Sequence, residues 1–355
     1  MTQDEVIIIK IGGSSITNKA IEETLNQTAI DWFAKLISAS VHTSFLFSDK
    51  EQEQEHDDDA TTNEESKTKP KFVVIHGAGS FGHHSAKRYG LQCGKAALLK
   101  RSSSLVAVVA DDEDFRKRKR YQMEALSKTR HSVQKLNAAM VKALLDHGVN
   151  ACNISPGITL PEMRAYGSST TTTTDRNTTA NNGSVAAMDL LCDSINEALD
   201  AGLLPVVHGD ACLIDENHAG ILGGDTLVEG LVSSEKMKES VQKVIFISDI
   251  AGVFTSDPKM NKDARLIRSL KVDVTTGEVA AHDNDGDNAA AEMNVGGSSH
   301  AHDVTGGLKA KLGAAVTAVQ CGKEVVIAKC CSSSAEKYIQ GDSASAEEGT
   351  VISKK

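Results

Sequence analysis

Apolar positions along the chain fall into two rhythms. Val6-Ile-Ile-Ile-Lys-Ile11 and Lys71-Phe-Val-Val-Ile75 are short, nearly continuous runs of β-formers, the pattern of strands buried on both faces. Each leads into glycines, Gly12-Gly-Ser14 and Gly77-Ala-Gly79. Residues 20–38 then place Ile21, Leu25, Ile30, Phe33, Leu36 and Ile37 at helical spacing. A second helix is predicted through Val133, Leu136, Met140, Leu144 and Leu145, stopping at Gly148. Further strands are expected at 150–155, 203–208, 244–248 and 324–328, with helices at 186–201, 225–232 and 308–321 between them. Strand, glycine turn and helix in repetition predict an α/β protein, a three-layer α/β/α sandwich around a mainly parallel sheet. Residues 211–215 and 220–222 flank a polar turn and read as a hairpin at the edge of that sheet.

Three segments lack either rhythm: 48–69, 168–183 with five consecutive threonines, and 282–302, rich in Asn, Asp, Gly and Ala. They are read as disordered insertions, since so little apolar surface cannot offset the entropy of ordering. They also explain the charge. The formal net charge is −10, but residues 49–69 alone hold nine acidic residues against three basic ones, so the rest is only mildly acidic. That balance argues against nucleic acid as the main partner. Arg116-Lys-Arg-Lys-Arg120 follows Asp111-Asp-Glu-Asp114 and is read as a solvated charge run. No apolar run approaches the ~20 residues that span a bilayer, and no basic leader opens the chain, so a cytoplasmic location without membrane contact is expected. Seven cysteines without C-x-x-C spacing fit reduced thiols, and adjacent Cys330-Cys331 is read as filling space.

The chemistry concentrates where strands end in glycine. His76-Gly-Ala-Gly-Ser-Phe-Gly-His83 sets a glycine bend, able to turn several N–H groups toward an anion, beside an imidazole at its rim. Gly77, Gly79 and Gly82 also satisfy G-x-G-x-x-G, which would suggest a dinucleotide-binding dehydrogenase. However, the acidic ribose ligand expected about 20 residues on is missing. Lys10 interrupts an apolar strand before Gly12, Gly13 and Ser14, with Lys19 beyond. A buried ammonium needs an anionic partner, and a phosphate would serve. Gly223-Gly-Asp225 opens a helix, with Asp225 in position to cap it and Gly224 to present its N–H. His208-Gly-Asp210 and Ser248-Asp249 close strands at the sheet's carboxyl edge, where ligands bind in open α/β sheets. Gly306-Gly307 precedes a helix carrying Lys311, with Lys309 an alternative on spacing alone. No G-x-x-x-x-G-K-[ST] occurs, so any nucleotide phosphates must be held by these separate glycine turns.

Taken in order, Lys10-Ile-Gly-Gly-Ser-Ser-Ile-Thr-Asn-Lys19, His76 through His83, Ala86-Lys-Arg-Tyr-Gly-Leu91, His208-Gly-Asp210, Ser248-Asp-Ile-Ala-Gly-Val253 and Asp303-Val-Thr-Gly-Gly307 resemble the amino acid kinase superfamily. Within it they look like the isopentenyl phosphate kinases. The resemblance covers the chain except its insertions. It implies one domain over 1–355, with an acceptor lobe at about 1–200 and a nucleotide lobe at about 201–355. It also implies ATP with magnesium (Mg2+), phosphoryl transfer to isopentenyl phosphate or a similar small-molecule alkyl monophosphate, no metal held by protein ligands, and a homodimer. Carried over by position, His83, Ala78 and Gly224 would bind the acceptor phosphate. Lys10, Ile11, Gly12, Gly13, Ser14, Gly79, Asp249, Gly307 and Lys311 would face ATP. Lys19 would stabilise the transition state and Asp225 would organise the lysines, so Lys10, Lys19, His83, Asp225 and Lys311 form the expected catalytic set. Ala78, Gly223, Ala251 and Leu308 depart from the family pattern without deleting a charged group. Other superfamily kinases acting on a carboxylate, nucleoside monophosphate or phosphonate, and a non-catalytic nucleotide-binding regulator, are the alternatives.

Overall fold

In the computed structural model, residues 5–51, 70–91, 112–157, 181–213, 219–258, 260–281, 292–293 and 306–355 are described. The parts 52–69, 168–180, 282–291 and 294–302 of the polar segments, and residues 303–305 of the last motif, lie outside them.

Strand β1 (Val6–Ile11) sits inside the sheet, and its alternation decides what each face meets. Val6 and Ile8 pack into one core, while Ile9 and Ile11 pack into the other. With a period of two, Lys10 therefore points to the same side as Ile8. The remaining large-sheet strands are β2 (Lys71–His76), β3 (Ala151–Ile154), β4 (Leu204–His208), β7 (Val241–Ser248), β10 (Ser269–Val272), β11 (Val279–Ala281), β12 (Glu292–Met293), β13 (Glu324–Lys329) and β14 (Thr350–Lys354). Short β5 (Asp210–Leu213), β6 (Ala219–Leu222), β8 (Val253–Phe254) and β9 (Leu266–Ile267) pair elsewhere.

The ten-stranded order is β12-β11-β10-β14-β13-β7-β1-β2-β4-β3. From β13 to β3 every pairing is parallel, and antiparallel pairing is confined to β13 with β14, β10 with β11 and β11 with β12. Helices cover both faces. On the Ile8 side lie α5 (Asn181–Asp200), α6 (Gly224–Ser233) and α7 (Gly306–Gln320); on the Ile9 side lie α2 (Gln27–Glu51), α4 (Asp112–Asp146) and α8 (Ser333–Gln340). The single turn α1 (Gly13–Ile16) and helix α3 (Gly79–Tyr89) follow β1 and β2 at the carboxyl edge. The expected three-layer sandwich with a mainly parallel sheet is what forms. No helix among the described residues is long and apolar enough to cross a membrane.

Several local expectations change. The first long helix starts at Gln27, because Asn26 accepts the Ala29 N–H through Oδ1 (3.4 Å) and Glu23 adopts φ 51°, which breaks the run that began at residue 20. Ile21 is left exposed. The same helix continues to Glu51, so residues 48–51 are helical rather than part of an insertion. Likewise α5 begins at Asn181, and Glu292–Met293 pairs with β11 inside the segment read as 282–302. The hairpin is no sheet edge: β5 and β6 pair only with each other, in a separate sheet. Arg130 on α4 fastens it by donating to the Ala211 carbonyl (3.0 Å) and pairing with Asp210 (2.9 Å). The basic run at 116–120 lies exposed on α4.

At the carboxyl edge the parallel ladder runs on through the glycine turns. Gly12 N–H donates to Ile247 O, Gly77 N–H to Ile11 O and Gly209 N–H to His76 O, at 2.8, 3.0 and 2.8 Å. Two of these turns touch backbone to backbone. A Cβ on Gly13 would lie 2.2 Å from Gly79 N, and Gly79 itself has φ +51°. Overpacking against backbone that cannot move aside costs about 3 kcal/mol. Gly13→Ala should therefore lower the free energy of unfolding by about that amount. Gly223→Ala, whose new methyl meets only Thr226 Oγ1 at 3.8 Å, should change it by less than about 0.5 kcal/mol. Urea denaturation of both variants checks the pair, and equal losses would contradict the close approach.

Candidate active site

The turns after β1, β2, β4 and β7 and the N-termini of α3, α6 and α7 enclose a cleft of about 1000 Å³. Lys10, Gly12, Gly13, Ser14, Lys19, Ala78, Gly79, His83, Gly224, Asp225, Asp249, Gly307 and Lys311 all line it. Ile11 does not. Its side chain is fully buried in the core and its carbonyl accepts the Gly77 N–H, so the expected contact with a cofactor is replaced by a structural one.

Lys10 is buried, and its ammonium meets Asp225 Oδ1 at 2.6 Å. The geometry follows from the strand: Lys10 points toward the face covered by α6, and Gly224 lets its stem pass, since a Cβ there would sit 3.2 Å from Lys10 Cε. Asp225 is not the helix cap. Gly223 occupies that position with no side-chain hydrogen bond, and Asp225 lies in the first turn, where the helix dipole favours its carboxylate.

Lys19 and Asp249 form a second pair at 3.0 Å, more exposed than the first. His84 Nε2 meets the Lys19 carbonyl at 3.0 Å, tying that segment to α3. Lys311 is different: its ammonium is buried and donates to the Ser248 hydroxyl. Burial, with Lys10 nearby, lowers its pKa to about 8 against the opposing pull of Asp225 and Asp249. The sequence places Ser248 in a motif at the ligand edge but gives it no role of its own; the fold makes it the hydrogen-bond partner of Lys311.

Three histidines divide into two roles. His76 and His208 end neighbouring strands, are fully buried and stack at 5.8 Å between ring centres. Burial holds their pKa values near 3 and 4 respectively, so both are neutral. His76 Nδ1 donates to Gly77 O and His208 Nδ1 to Gly209 O, at 3.1 and 3.2 Å; Asn137 Nδ2 approaches His76 Nε2 at 3.1 Å. They brace the glycine turns from behind. His83, on the first turn but one of α3, faces the cleft and is exposed. Partial desolvation, reinforced by Lys19 and His84 and opposed by the Gly79 carbonyl, lowers its pKa below the usual imidazole value.

Beyond His83 the cleft has an apolar arm walled by Ala86, Val133, Ile221 and Leu222, with Thr129 hydrogen-bonded to Ser85 (2.7 Å). Tyr89 and Leu91, at the end of the same motif, pack behind Ala86 rather than lining the arm. The walls come from α3, α4 and the hairpin, a combination that only the tertiary fold assembles. Among the described residues no cluster of three or more His, Cys, Asp or Glu side chains gathers as metal ligands. Asp225 and Asp249 each engage a lysine, so the donor set does not fit a protein-built magnesium cage.

This fold and cleft define an α/β phosphate-binding enzyme scaffold, and residues 5–329 match the amino acid kinase family, to which the chain belongs. A protein of Arabidopsis thaliana named isopentenyl phosphate kinase is 29% identical over 351 residues, covering 94% of this chain and 90% of its own. One of the same name from Methanothermobacter thermautotrophicus is 25% identical, covering 74% of each chain. A solved structure described as X-ray structures of isopentenyl phosphate kinase superposes with a TM-score of 0.59 at 21% identity, covering 98% of this chain and all of the other.

Removing one member of a buried ion pair leaves the other uncompensated, at a cost of about 3 kcal/mol or more. Asp225→Leu should destabilise the free protein by that amount. Lys10→Met with Asp225→Leu should recover most of it, as a double-mutant cycle by urea denaturation would show. For Lys311, selective isotope labelling and NMR should find an ammonium titrating near 8, while exposed lysines titrate near ~10.4. Bound inorganic polyphosphate favours the charged form, so that midpoint should rise and anion affinity should fall as pH climbs above 8.

Proposed function

We propose that this chain transfers the γ-phosphoryl group of ATP to the phosphate of isopentenyl phosphate, yielding isopentenyl diphosphate and ADP. The observation that carries the reading is the convergence of Lys10, Lys19, Lys311 and His83 on one cleft that also has an apolar arm. The relatives named isopentenyl phosphate kinase, similar over most of the chain, support it.

In this reading the acceptor phosphate sits against His83, the Ala78 turn and the Gly224 N–H, and its carbon tail enters the arm between Ala86, Val133 and Ile221. ATP lies over Gly12, Gly13, Ser14, Gly79, Asp249, Gly307 and Lys311. An acceptor oxygen, already ionised at neutral pH, attacks the γ-phosphorus in line, and the bridging oxygen leaves with ADP. No general base is needed. What the protein supplies is position and positive charge, because two mutually repelling anions must be held end to end. Lys10, fixed by Asp225, and Lys19 and Lys311 neutralise charge that spreads over the transferring group. Magnesium, when bound, screens phosphate charge, and it would arrive on the nucleotide rather than in a cage of side chains. The family resemblance also carries the expectation of a cytoplasmic homodimer, which sedimentation equilibrium tests for its oligomeric part.

Turnover of a panel of short prenyl phosphates, carbamate, acetylglutamate and uridylate with MgATP tests the reaction, and phosphorylation of any of the last three in preference would overturn it. His83→Ala should raise KM for isopentenyl phosphate roughly tenfold to a hundredfold, the worth of one hydrogen bond to a charged group. KM for ATP should stay within about twofold. Lys19→Met should instead lower kcat about a hundredfold, since its ammonium serves the transition state.

A further inference from the structure

Among the described residues, a chemically reactive pair that the proposed reaction leaves unused lies at the same edge of the sheet. Cys330 and Cys331 form the turn between β13 and α8, with their sulfurs 3.7 Å apart. Cys330 is half-buried against the core and Cys331 is exposed, so the space-filling expectation holds at most for the first. By contrast, Cys192 and Cys212 are buried.

The turn is held from both sides. Cys330 N–H donates to Ser248 O at 2.7 Å, while Ser332 Oγ donates to Lys329 O and accepts the Ala335 N–H, capping α8. Between these anchors Cys331 adopts φ 60°, a left-handed conformation that costs a residue with a side chain energy. It is this conformation that brings adjacent side chains together instead of alternating them.

Ser248 links the pair to the cleft. Its carbonyl receives the Cys330 N–H, its hydroxyl accepts from Lys311, and the next residue, Asp249, holds Lys19. A change of backbone at Cys330 therefore bears directly on Ser248, which positions Lys311, and on the adjoining Asp249, which holds Lys19.

We propose that Cys330 and Cys331 are an oxidative modification site, closed by a peroxide into a vicinal disulfide that weakens nucleotide binding through Ser248. The exposed Cys331 thiolate attacks the peroxide, its sulfur takes the terminal hydroxyl as sulfenic acid, and the second peroxide oxygen leaves as alkoxide or hydroxide and takes up a proton from solvent. The Cys330 sulfur then attacks Cys331 sulfur. The S–O bond breaks, the S–S bond forms, and the departing oxygen takes the Cys330 proton and leaves as water. Two electrons pass from the two sulfurs to the peroxide. Burial and the neighbouring sulfur push the Cys330 thiol pKa up, so it retains a proton until this step, and contact with Cys331 makes it the nearest trap.

The ring is reversible by construction. Consecutive Cα atoms are about 3.8 Å apart, closer than the roughly 4.4 Å lower end of ordinary disulfides, and strain of this sort makes the bond easier to reduce.

The covalent half of the proposal stands without any assigned activity, whereas the coupling rests on the nucleotide reading above. Hydrogen peroxide at a small molar excess should give protein about 2 Da lighter, with one linked 330–331 peptide. Calorimetry should show ATP affinity reduced roughly tenfold, equivalent to about 1.4 kcal/mol, and restored by dithiothreitol. Cys331→Ser should bind ATP like the parent and lose both responses. Cys330→Ser should stop at an oxidised Cys331, without a ring. Sulfinic acid at Cys331 with no 330–331 link in the parent protein would overturn the modification, and a ring with unchanged ATP affinity would overturn the coupling. Reduced protein that fails to bind ATP would sink the nucleotide reading and the coupling with it, leaving the mass result to stand.

Discussion

A single buried ammonium organises the carboxyl edge of this sheet. Lys10 occupies a position in a central strand where every neighbour in sequence is apolar, and its 2.6 Å pairing with Asp225 satisfies it. The cost of desolvating two ions is large enough that such a pair adds little to stability by itself. Its effect is geometric: the pair fixes α6 against β1, and so fixes where the N–H groups of Gly224 and its neighbours point. Gly224 is part of the same device, since any side chain there would crowd the lysine stem. One strand residue thereby sets the position of an anion-binding helix end distant from it in sequence.

The glycine turns around that pair are coupled to one another as much as to a ligand. Gly13 meets Gly79 across backbone, Thr17 Oγ1 donates to Gly13 O at 2.7 Å, and Ser80 N–H donates to Thr17 Oγ1 at 2.9 Å. Behind them two neutral histidines donate to the carbonyls of Gly77 and Gly209. The cleft floor is therefore a closed hydrogen-bonded unit. Preorganisation of this kind lets N–H groups face an anion without being reordered when it arrives.

Much of the architecture was legible in the chain because strands buried on both faces announce themselves, and the motifs fall at their ends. The Gly148 stop is a clear case, with φ 78° at the predicted residue. What escaped depends on partners far away in sequence. Thr350–Lys354 is a polar-looking terminal segment, yet β14 bridges β10 and β13, and the buried Thr350 hydroxyl donates to Ile267 O and accepts from Val253 N–H. Asp225 was read as a cap because local spacing suggested one, and its role toward the lysines came only from the family resemblance; that its partner is Lys10 is visible only in the fold. Ile11 was carried over with its motif, although the strand's alternation turns it into the core. Residues 20–26 were assigned to a helix by periodicity, but Asn26 places the start later.

The distribution of charge at the cleft explains why such an edge is incomplete by itself. Lys10 and Lys19 each have a carboxylate, so their charge is largely balanced within the protein. Lys311 has a neutral hydroxyl as its hydrogen-bond partner, and burial with Lys10 lowers its pKa to about 8. Glu229, one turn beyond Asp225, is shifted the opposite way, to about 7, by burial and by the Asp225 charge. Lys311 is buried and Glu229 half-buried, so desolvation penalises the charged form of a base and of an acid in the same region. An anion delivered there stabilises the ammonium form of Lys311, which burial disfavours and whose hydrogen-bond partner is a hydroxyl rather than a carboxylate. Binding energy is thus available to a phosphate at the point where Lys311 and the N-terminus of α7 meet, and the protein needs no additional cation to gain it.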